Sequence, residues 1–60
     1  MNMSIKVMLT DDHGLVREGV KCLLESDNHI KVIGEAKDGV ECLEKLQILK
    51  PDILILDEAV

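Results

Sequence analysis

The sequence contains no phenylalanine, tyrosine or tryptophan, so any hydrophobic core has to be built from aliphatic side chains. Cysteine is also scarce, with two residues in a chain of 60. Cys22 and Cys42 do not have a metal-ligand spacing, and two cysteines are not a disulfide framework. Both fall in helical patterns, which favours reduced, buried thiols. A chain this short forms at most one small domain of marginal stability.

Basic residues are outnumbered, with seven lysines and arginines against 12 aspartates and glutamates and a net charge of −5. This balance disfavours electrostatic contact with nucleic acid, so we expect no direct DNA binding. No apolar run approaches the roughly 20 residues of a membrane span, and residues 1–4 lead into a strand rather than a signal sequence. We therefore expect no membrane association and a cytoplasmic location.

The most informative stretch is a short apolar run near the carboxyl end. Ile53–Leu56 are four consecutive large apolar residues, and Asp57 follows them directly. A run without polar alternation is typical of a strand buried on both faces of a parallel sheet. A second strand-like run, residues 5–9, is followed by Thr10 and then by Asp11 and Asp12. Both predicted strands therefore lead into acids.

The segments between these runs alternate between helix and strand patterns. Residues 15–25 carry apolar side chains at helical spacing. Residues 30–33 form a weaker second strand, and we interpret residues 34–37 as a connector. Asp38 has the position of a helix N-cap, and Pro51 ends the helix that follows it.

The resulting order, β-α-β-α-β, predicts a parallel sheet with right-handed crossovers. When the second crossover steps back past the first strand, the strand order becomes 2-1-3 and the helices lie on opposite faces. The gap between the first and third strands is then a switch point, where open α/β sheets bind ligands. We expect Asp11, Asp12 and Asp57 at the mouth of this crevice.

Three carboxylates in one crevice repel one another, and a hard divalent cation removes that repulsion. The acids therefore predict a Mg²⁺ site that could neutralise a phosphoryl group, with an aspartate as candidate nucleophile. Other roles stay open: Asp11 or Asp12 could cap the first helix, and Asp57 could be a turn residue. His13 could be a metal ligand or a helix-start residue.

At these residues the chain resembles the receiver domain of bacterial two-component response regulators, the CheY-like fold. The resemblance rests on DDHGLVREG at residues 11–19, GEAKDG at residues 34–39 and KPDILILD at residues 50–57. The same set is similar to the LuxR-type subfamily, whose members usually carry a DNA-binding domain further on. The resemblance implies that residues 1–60 are a truncated receiver, the amino-terminal half of a flavodoxin-like α/β sheet.

The resemblance also implies roles for individual residues. Asp57 corresponds to the aspartate that accepts a phosphoryl group from a histidine kinase. Asp11 and Asp12 correspond to the acid pair that positions Mg²⁺, and Ala59 to the residue whose backbone carbonyl contacts the metal. The module it implies is a phosphoacceptor that regulates transcription through an output domain, rather than a dedicated enzyme.

The sequence departs from the family pattern after Asp57. The family's later strands and helices supply a Ser or Thr, a Lys and an aromatic switch residue, and none of these is assigned here. We expect Ile53–Leu56 to form an exposed edge through which the chain self-associates. The alternative function is thus a structural fragment that does not take phosphate. A Mg²⁺-dependent phosphohydrolase is disfavoured, because residues 11–13 lack the Asp-x-Asp spacing after the first strand.

Overall fold

The structure is a computed structural model that describes residues 4–57. Five elements alternate along the chain: β1 (Ile5–Thr10), α1 (Gly14–Glu25), β2 (Ile30–Ala36), α2 (Gly39–Leu49) and β3 (Ile53–Leu56). The β-α-β-α-β order predicted from the sequence is confirmed. Between residues 4 and 57, no helix has the length and apolar character needed to cross a membrane.

The three strands form one parallel sheet in the order β2-β1-β3. At the end of β1, Thr10 lies opposite Ala36 of β2 on one side and Leu56 of β3 on the other. The predicted order 2-1-3 is therefore confirmed. Because all three strands run in the same direction, the carboxyl ends of β1 and β3 lie side by side.

The two helices cover opposite faces of this sheet, as predicted. Neighbouring side chains of a strand point to opposite faces, which makes β2 a useful reference. Ala36 packs in a buried cluster with Met8 of β1 and Cys42 of α2. The preceding residue, Glu35, pairs instead with Arg17 of α1. Each helix therefore has its own face.

β2 is longer than the sequence pattern indicates. The strand continues through residues 34–36, so their interpretation as part of a connector is wrong. The extended part of β2 also pairs with β1. The register shifts once after Val7, so that Met8 pairs with Gly34. A side chain at Gly34 would collide with Leu49 of α2. The glycine therefore leaves the space above the strand that the end of the Leu49 side chain occupies.

The buried core is confined to the centre of the sheet. Val7, Met8 and Leu9 of β1 are almost fully buried. β3 is an edge strand, with Ile53 47% exposed and Leu56 53% exposed. The prediction that this apolar run is buried on both faces is therefore wrong. Burial on both faces requires a helix over each face, and among residues 4–57 both helices pack over β1 and β2. The expected exposed edge is confirmed, because only β1 pairs with β3 in this part of the chain.

The apolar side of α1 is exposed as well. Leu15 at the start of the helix is 88% exposed, and no residue of α1 is fully buried. Arg17 and Lys21, which lie outside the apolar stripe in the sequence pattern, are half-buried against Glu35 of β2. The contact between α1 and the sheet is therefore partly ionic.

Both ends of α2 are closed by local hydrogen bonds. The Asp38 carboxylate accepts from the N–H of Glu41 at 2.8 Å, and the Glu41 carboxylate accepts from the N–H of Lys37 at 3.0 Å. At the other end, the N–H of Lys50 donates to the C=O of Leu46 at 3.1 Å. These contacts confirm the predicted start and end of the helix.

Lys50 is strained in its position, and glycine should relieve that strain. It is the only non-glycine residue with a positive φ, 49°, in the described part of the chain. A Cβ atom disfavours this left-handed conformation, which glycine adopts readily. We expect Lys50→Gly to be more stable than Lys50→Ala by about 1 kcal/mol, measured by urea unfolding followed by circular dichroism. Both variants lose the same charge, so equal stabilities would contradict the strain.

Candidate functional site

Ligand-bearing side chains converge where β1 and β3 end. Asp11, Asp12, His13 and Asp57 each offer one ligand atom, and these atoms all lie within 4.8 Å of one another. Three of the residues follow β1, and Asp57 follows β3. The structure thus brings together the three acids that the sequence pattern places at this edge. We call these four residues the acidic cluster.

Backbone hydrogen bonds fix the two acids that end the strands. The N–H of Asp11 donates to the C=O of Ala36 in β2 at 3.0 Å. The N–H of Asp57 donates to the C=O of Thr10 in β1, also at 3.0 Å. The parallel ladder therefore continues past the strand ends, and the sheet itself fixes the backbone from which these two carboxylates extend.

Asp11 also shapes the turn that leads into α1. Its Oδ1 accepts a hydrogen bond from the N–H of His13 at 2.7 Å, which is an Asx turn. Its side chain is buried, with 8% exposed, whereas that of Asp12 is about half exposed. The N-cap of α1 is His13, and its side chain makes no capping hydrogen bond. Neither acid therefore takes the N-cap position that the sequence left open for them.

His13 lies directly against the acids. Its Nδ1 is 2.7 Å from Oδ1 of Asp12 and 3.4 Å from Oδ1 of Asp11. At these distances the imidazole can hold the Asp12 carboxylate in place by a hydrogen bond. A ring nitrogen of His13 is also close enough to the carboxylate oxygens of the three acids to count as a metal donor. Both roles considered for His13 are compatible with this position.

The donor set of the acidic cluster suits a small hard cation. Mg²⁺ takes oxygen ligands at about 2.0–2.1 Å in an octahedral shell, so opposite ligands are about 4 Å apart. Carboxylate oxygens within 4.8 Å of one another are close to that spacing. Buried Asp11 forms the inner wall of the site, and the more exposed Asp12 leaves one side open to water and to an incoming anion.

One residue implied by the family resemblance cannot be placed. Ala59 lies outside the described residues, which end at Asp57. The other implied residues, Asp11, Asp12 and Asp57, all belong to the acidic cluster.

Sequence reasoning missed two residues that support the cluster from behind. Nη1 of Arg17 donates to the C=O of Asp11 at 2.6 Å, and Nε of Arg17 donates to Oε1 of Glu35 at 3.2 Å. Both residues belong to the stretches that carry the resemblance. Their role was not visible because the helical pattern assigns Arg17 to the outer face of α1. An arginine beside an apolar stripe, with an acid on the neighbouring strand, is the signal that could have indicated it.

Glu35 also binds a second cation of α1. Its Oε2 lies 3.4 Å from Nζ of Lys21, and this hydrogen bond, with the charge of Glu35, raises the pKa of Lys21 above its ordinary value. Among the described residues, Lys21 forms no hydrogen bond or ion pair with Asp11, Asp12 or His13. Of the two cations on Glu35, Arg17 is therefore the one that reaches the turn after β1.

A parallel 2-1-3 sheet with two acids after its first strand and a third acid after its third strand defines a receiver-like α/β domain. The family model for the response regulator receiver domain matches residues 7–59. The chain belongs to this family. The family prediction made from the sequence motifs is confirmed.

Individual relatives agree with this assignment. The chain is 44% identical over 55 residues to the response regulator protein VraR of Staphylococcus saprophyticus, covering 92% of this chain and 26% of VraR. It is 40% identical over 57 residues to a protein-glutamate methylesterase/protein-glutamine glutaminase of Pyrococcus horikoshii, covering 95% of this chain and 16% of that protein. The chain thus spans about a quarter or less of the length of these relatives.

A solved structure agrees in fold. The signal receiver domain of the response regulator NarL from Mycobacterium tuberculosis is similar with a TM-score of 0.87 at 40% sequence identity. The similarity covers 92% of this chain and 44% of that chain. The three strands and two helices described above therefore correspond to less than half of that receiver structure.

Neutralising Asp11 should stabilise the protein when no divalent cation is present. Asparagine keeps an oxygen that can accept from the N–H of His13, but it removes a buried charge that faces the carboxylates of Asp12 and Asp57. We expect Asp11→Asn to raise the free energy of unfolding by about 1 kcal/mol in EDTA. The control is Glu44→Gln, which removes an exposed charge outside the cluster. An unchanged or lowered stability for Asp11→Asn would contradict the repulsion.

Proposed function

We propose that this chain is the phosphoacceptor half of a two-component receiver. In this proposal, residues 1–60 form the amino-terminal part of the domain, and Asp57 accepts a phosphoryl group from a histidine kinase. The observation that carries the proposal is the convergence of Asp11, Asp12 and Asp57 within 4.8 Å in a chain of the receiver family. This convergence brings a candidate nucleophile and a candidate cation site to the same crevice.

The chemistry of the proposal follows from the position of Asp57. A carboxylate oxygen of Asp57 attacks the phosphorus of a phosphohistidine, the P–N bond breaks, and the histidine nitrogen keeps the electron pair and takes up a proton. The product is an acyl phosphate on Asp57. Asp11, Asp12 and Asp57 would hold Mg²⁺, with the carbonyl of Ala59 as the further ligand that the resemblance implies. Mg²⁺, when bound, offsets the negative charge of the carboxylates and of the phosphoryl oxygens.

The regulatory output would come from outside these residues. Two relatives that share this segment, VraR and the methylesterase, bear different names, so the segment alone does not specify the output. On the LuxR-type resemblance we propose transcription regulation through a separate output domain. The net charge of −5 argues against direct DNA contact by this chain. Cys42 is buried, but Cys22 is exposed, so the expectation of two buried thiols is wrong for Cys22. On the two-component resemblance we propose a cytoplasmic location.

Incubation with acetyl phosphate and Mg²⁺, followed by intact-mass spectrometry, tests phosphoacceptance. We expect one phosphoryl adduct on the wild-type chain, because acetate is a good leaving group and Asp57 is the nucleophile. The adduct should be absent in EDTA and absent in Asp57→Asn. Asp27→Asn is the matched control, since Asp27 lies in the loop before β2, at the opposite end of the sheet. A folded wild-type chain that takes no phosphoryl group would contradict the proposal.

A second candidate function is a structural fragment that self-associates through β3. The outer edge of β3 has no strand partner within residues 4–57, and such edges pair with other chains. Leu54 and Leu56 of β3 also border an apolar groove with Val40 and Leu43 of α2, and Val40 is 71% exposed. A second copy paired along β3 would cover both the edge and the groove.

Sedimentation velocity distinguishes the associated chain from the monomer. We expect the wild-type chain to sediment as a dimer or larger, and Leu54→Lys to sediment as a monomer, because a charge on an edge strand blocks pairing. Leu15→Lys is the control, since it adds the same charge on the exposed side of α1, away from β3. A folded, monomeric wild-type chain would exclude association through β3. A dimer that forms no phosphoryl adduct would favour the structural function over phosphoacceptance.

A further inference from the structure

Arg17 joins the acidic cluster to β2 with a single side chain. Nη1 donates to the C=O of Asp11 at 2.6 Å, and Nε donates to the carboxylate of Glu35 at 3.2 Å. Arg17 and Glu35 are both half-buried, with 23% and 28% of their side chains exposed. Shielding strengthens charged hydrogen bonds and makes the loss of one partner costly.

The carbonyl that Arg17 binds has a particular place in the turn. It belongs to the peptide unit between Asp11 and Asp12, so its orientation affects the backbone of both acids. The N–H of Asp11 is already held by the C=O of Ala36 at 3.0 Å. Arg17 therefore holds the C=O of Asp11, while the sheet holds its N–H.

We propose that Arg17 is a positioning residue: it fixes the turn after β1 so that the carboxylates of Asp11 and Asp12 face a shared cation. The proposal rests on the cation site of the proposed function. Arg17 itself does not touch the cation or the phosphoryl group. Its effect is carried by the Asp11 carbonyl alone.

The two acceptors explain why an arginine suits this position. A guanidinium group is a planar fork whose N–H groups point in fixed directions, so one side chain can bind two acceptors at once. A lysine has a single ammonium group on a flexible stem and cannot keep the same pair of contacts with the same geometry. Arg17→Lys therefore keeps the charge and removes the fork.

Glu35 balances the charge that Arg17 brings to the site. An unpaired guanidinium beside carboxylates would compete electrostatically with a divalent cation. The ion pair with Glu35 offsets that charge while leaving the hydrogen bond to Asp11 in place. Positioning and charge therefore predict opposite results for Arg17→Met. A charge effect alone predicts tighter Mg²⁺ binding, whereas loss of positioning predicts weaker binding.

Lys21 provides a matched control on the same helix. It also binds Glu35, at 3.4 Å, and it carries the same charge as Arg17. No contact joins it to Asp11 in the described residues. Lys21→Met therefore removes a cation from Glu35 without disturbing the turn after β1.

Isothermal titration of MgCl₂ into each cation-free protein tests the proposal. Since removing partners of metal-ligating groups typically weakens metal affinity by about 10–100-fold, we expect Arg17→Met and Arg17→Lys each to raise the Kd at least about tenfold. Lys21→Met should stay within about twofold of the wild type. Equal or tighter Mg²⁺ binding by Arg17→Met, beside a wild-type protein that binds, would overturn the proposal.

Hydrogen exchange in EDTA gives a readout that does not depend on the cation. We expect faster exchange at the His13 amide, which bonds to Asp11, in Arg17→Lys than in Lys21→Met, with α2 amides unchanged as a check on the fold. Equal exchange at His13 in the two variants would overturn the positioning role. A wild-type protein that binds no Mg²⁺ would contradict the proposed function instead. Hydrogen exchange at the His13 amide would then test the positioning role of Arg17 on its own.

Discussion

The parallel pairing of β1 with β3 is the constraint on which the candidate site depends. Carboxylates repel one another, so nothing in the acids themselves would assemble them. Thr10 and Leu56 are register partners, and the N–H of Asp57 bonds to the C=O of Thr10. Strand pairing thus supplies the free energy that holds Asp57 close to Asp11. The site is a consequence of the sheet topology, and a cation would relieve the repulsion that this topology creates.

Order and topology were predictable because their signals are local or follow from chain connectivity. Asp57 directly follows an apolar run in the sequence. Asp38 caps the start of α2 and Lys50 caps its end, so both signals lie next to the helix that they bound. Right-handed crossovers then leave few arrangements for three parallel strands. Once the strand order is known, the meeting of Asp11 and Asp57 follows from geometry, which is why the sequence pattern alone could place the acids together.

The features that sequence patterns missed depend on contacts between distant segments. Gly34 is typical of a loop in the sequence, yet it continues β2 because it pairs with Met8 of β1 after the register shift. The apolar run of β3 alone predicts burial on both faces, and its exposed edge was predictable only from the resemblance, which indicates that further strands of the family are not among these residues. The Arg17 side chain lies against the sheet because it forms an ion pair with Glu35 of β2. A helical pattern records apolar side chains and does not record an ionic contact.

The central claim is that the acids after β1 and β3 form one cation site. Paramagnetic broadening of amide signals by Mn²⁺, which takes the same oxygen ligands as Mg²⁺, tests it most directly. At substoichiometric Mn²⁺, we predict selective loss of the signals of Asp11, Asp12 and Asp57. The signals of Asp27 and Asp52 should be retained, because both residues precede strands and lie at the opposite end of the sheet. Broadening spread evenly over all five acids would show that Mn²⁺ binds a diffuse acidic surface, and it would contradict a single site.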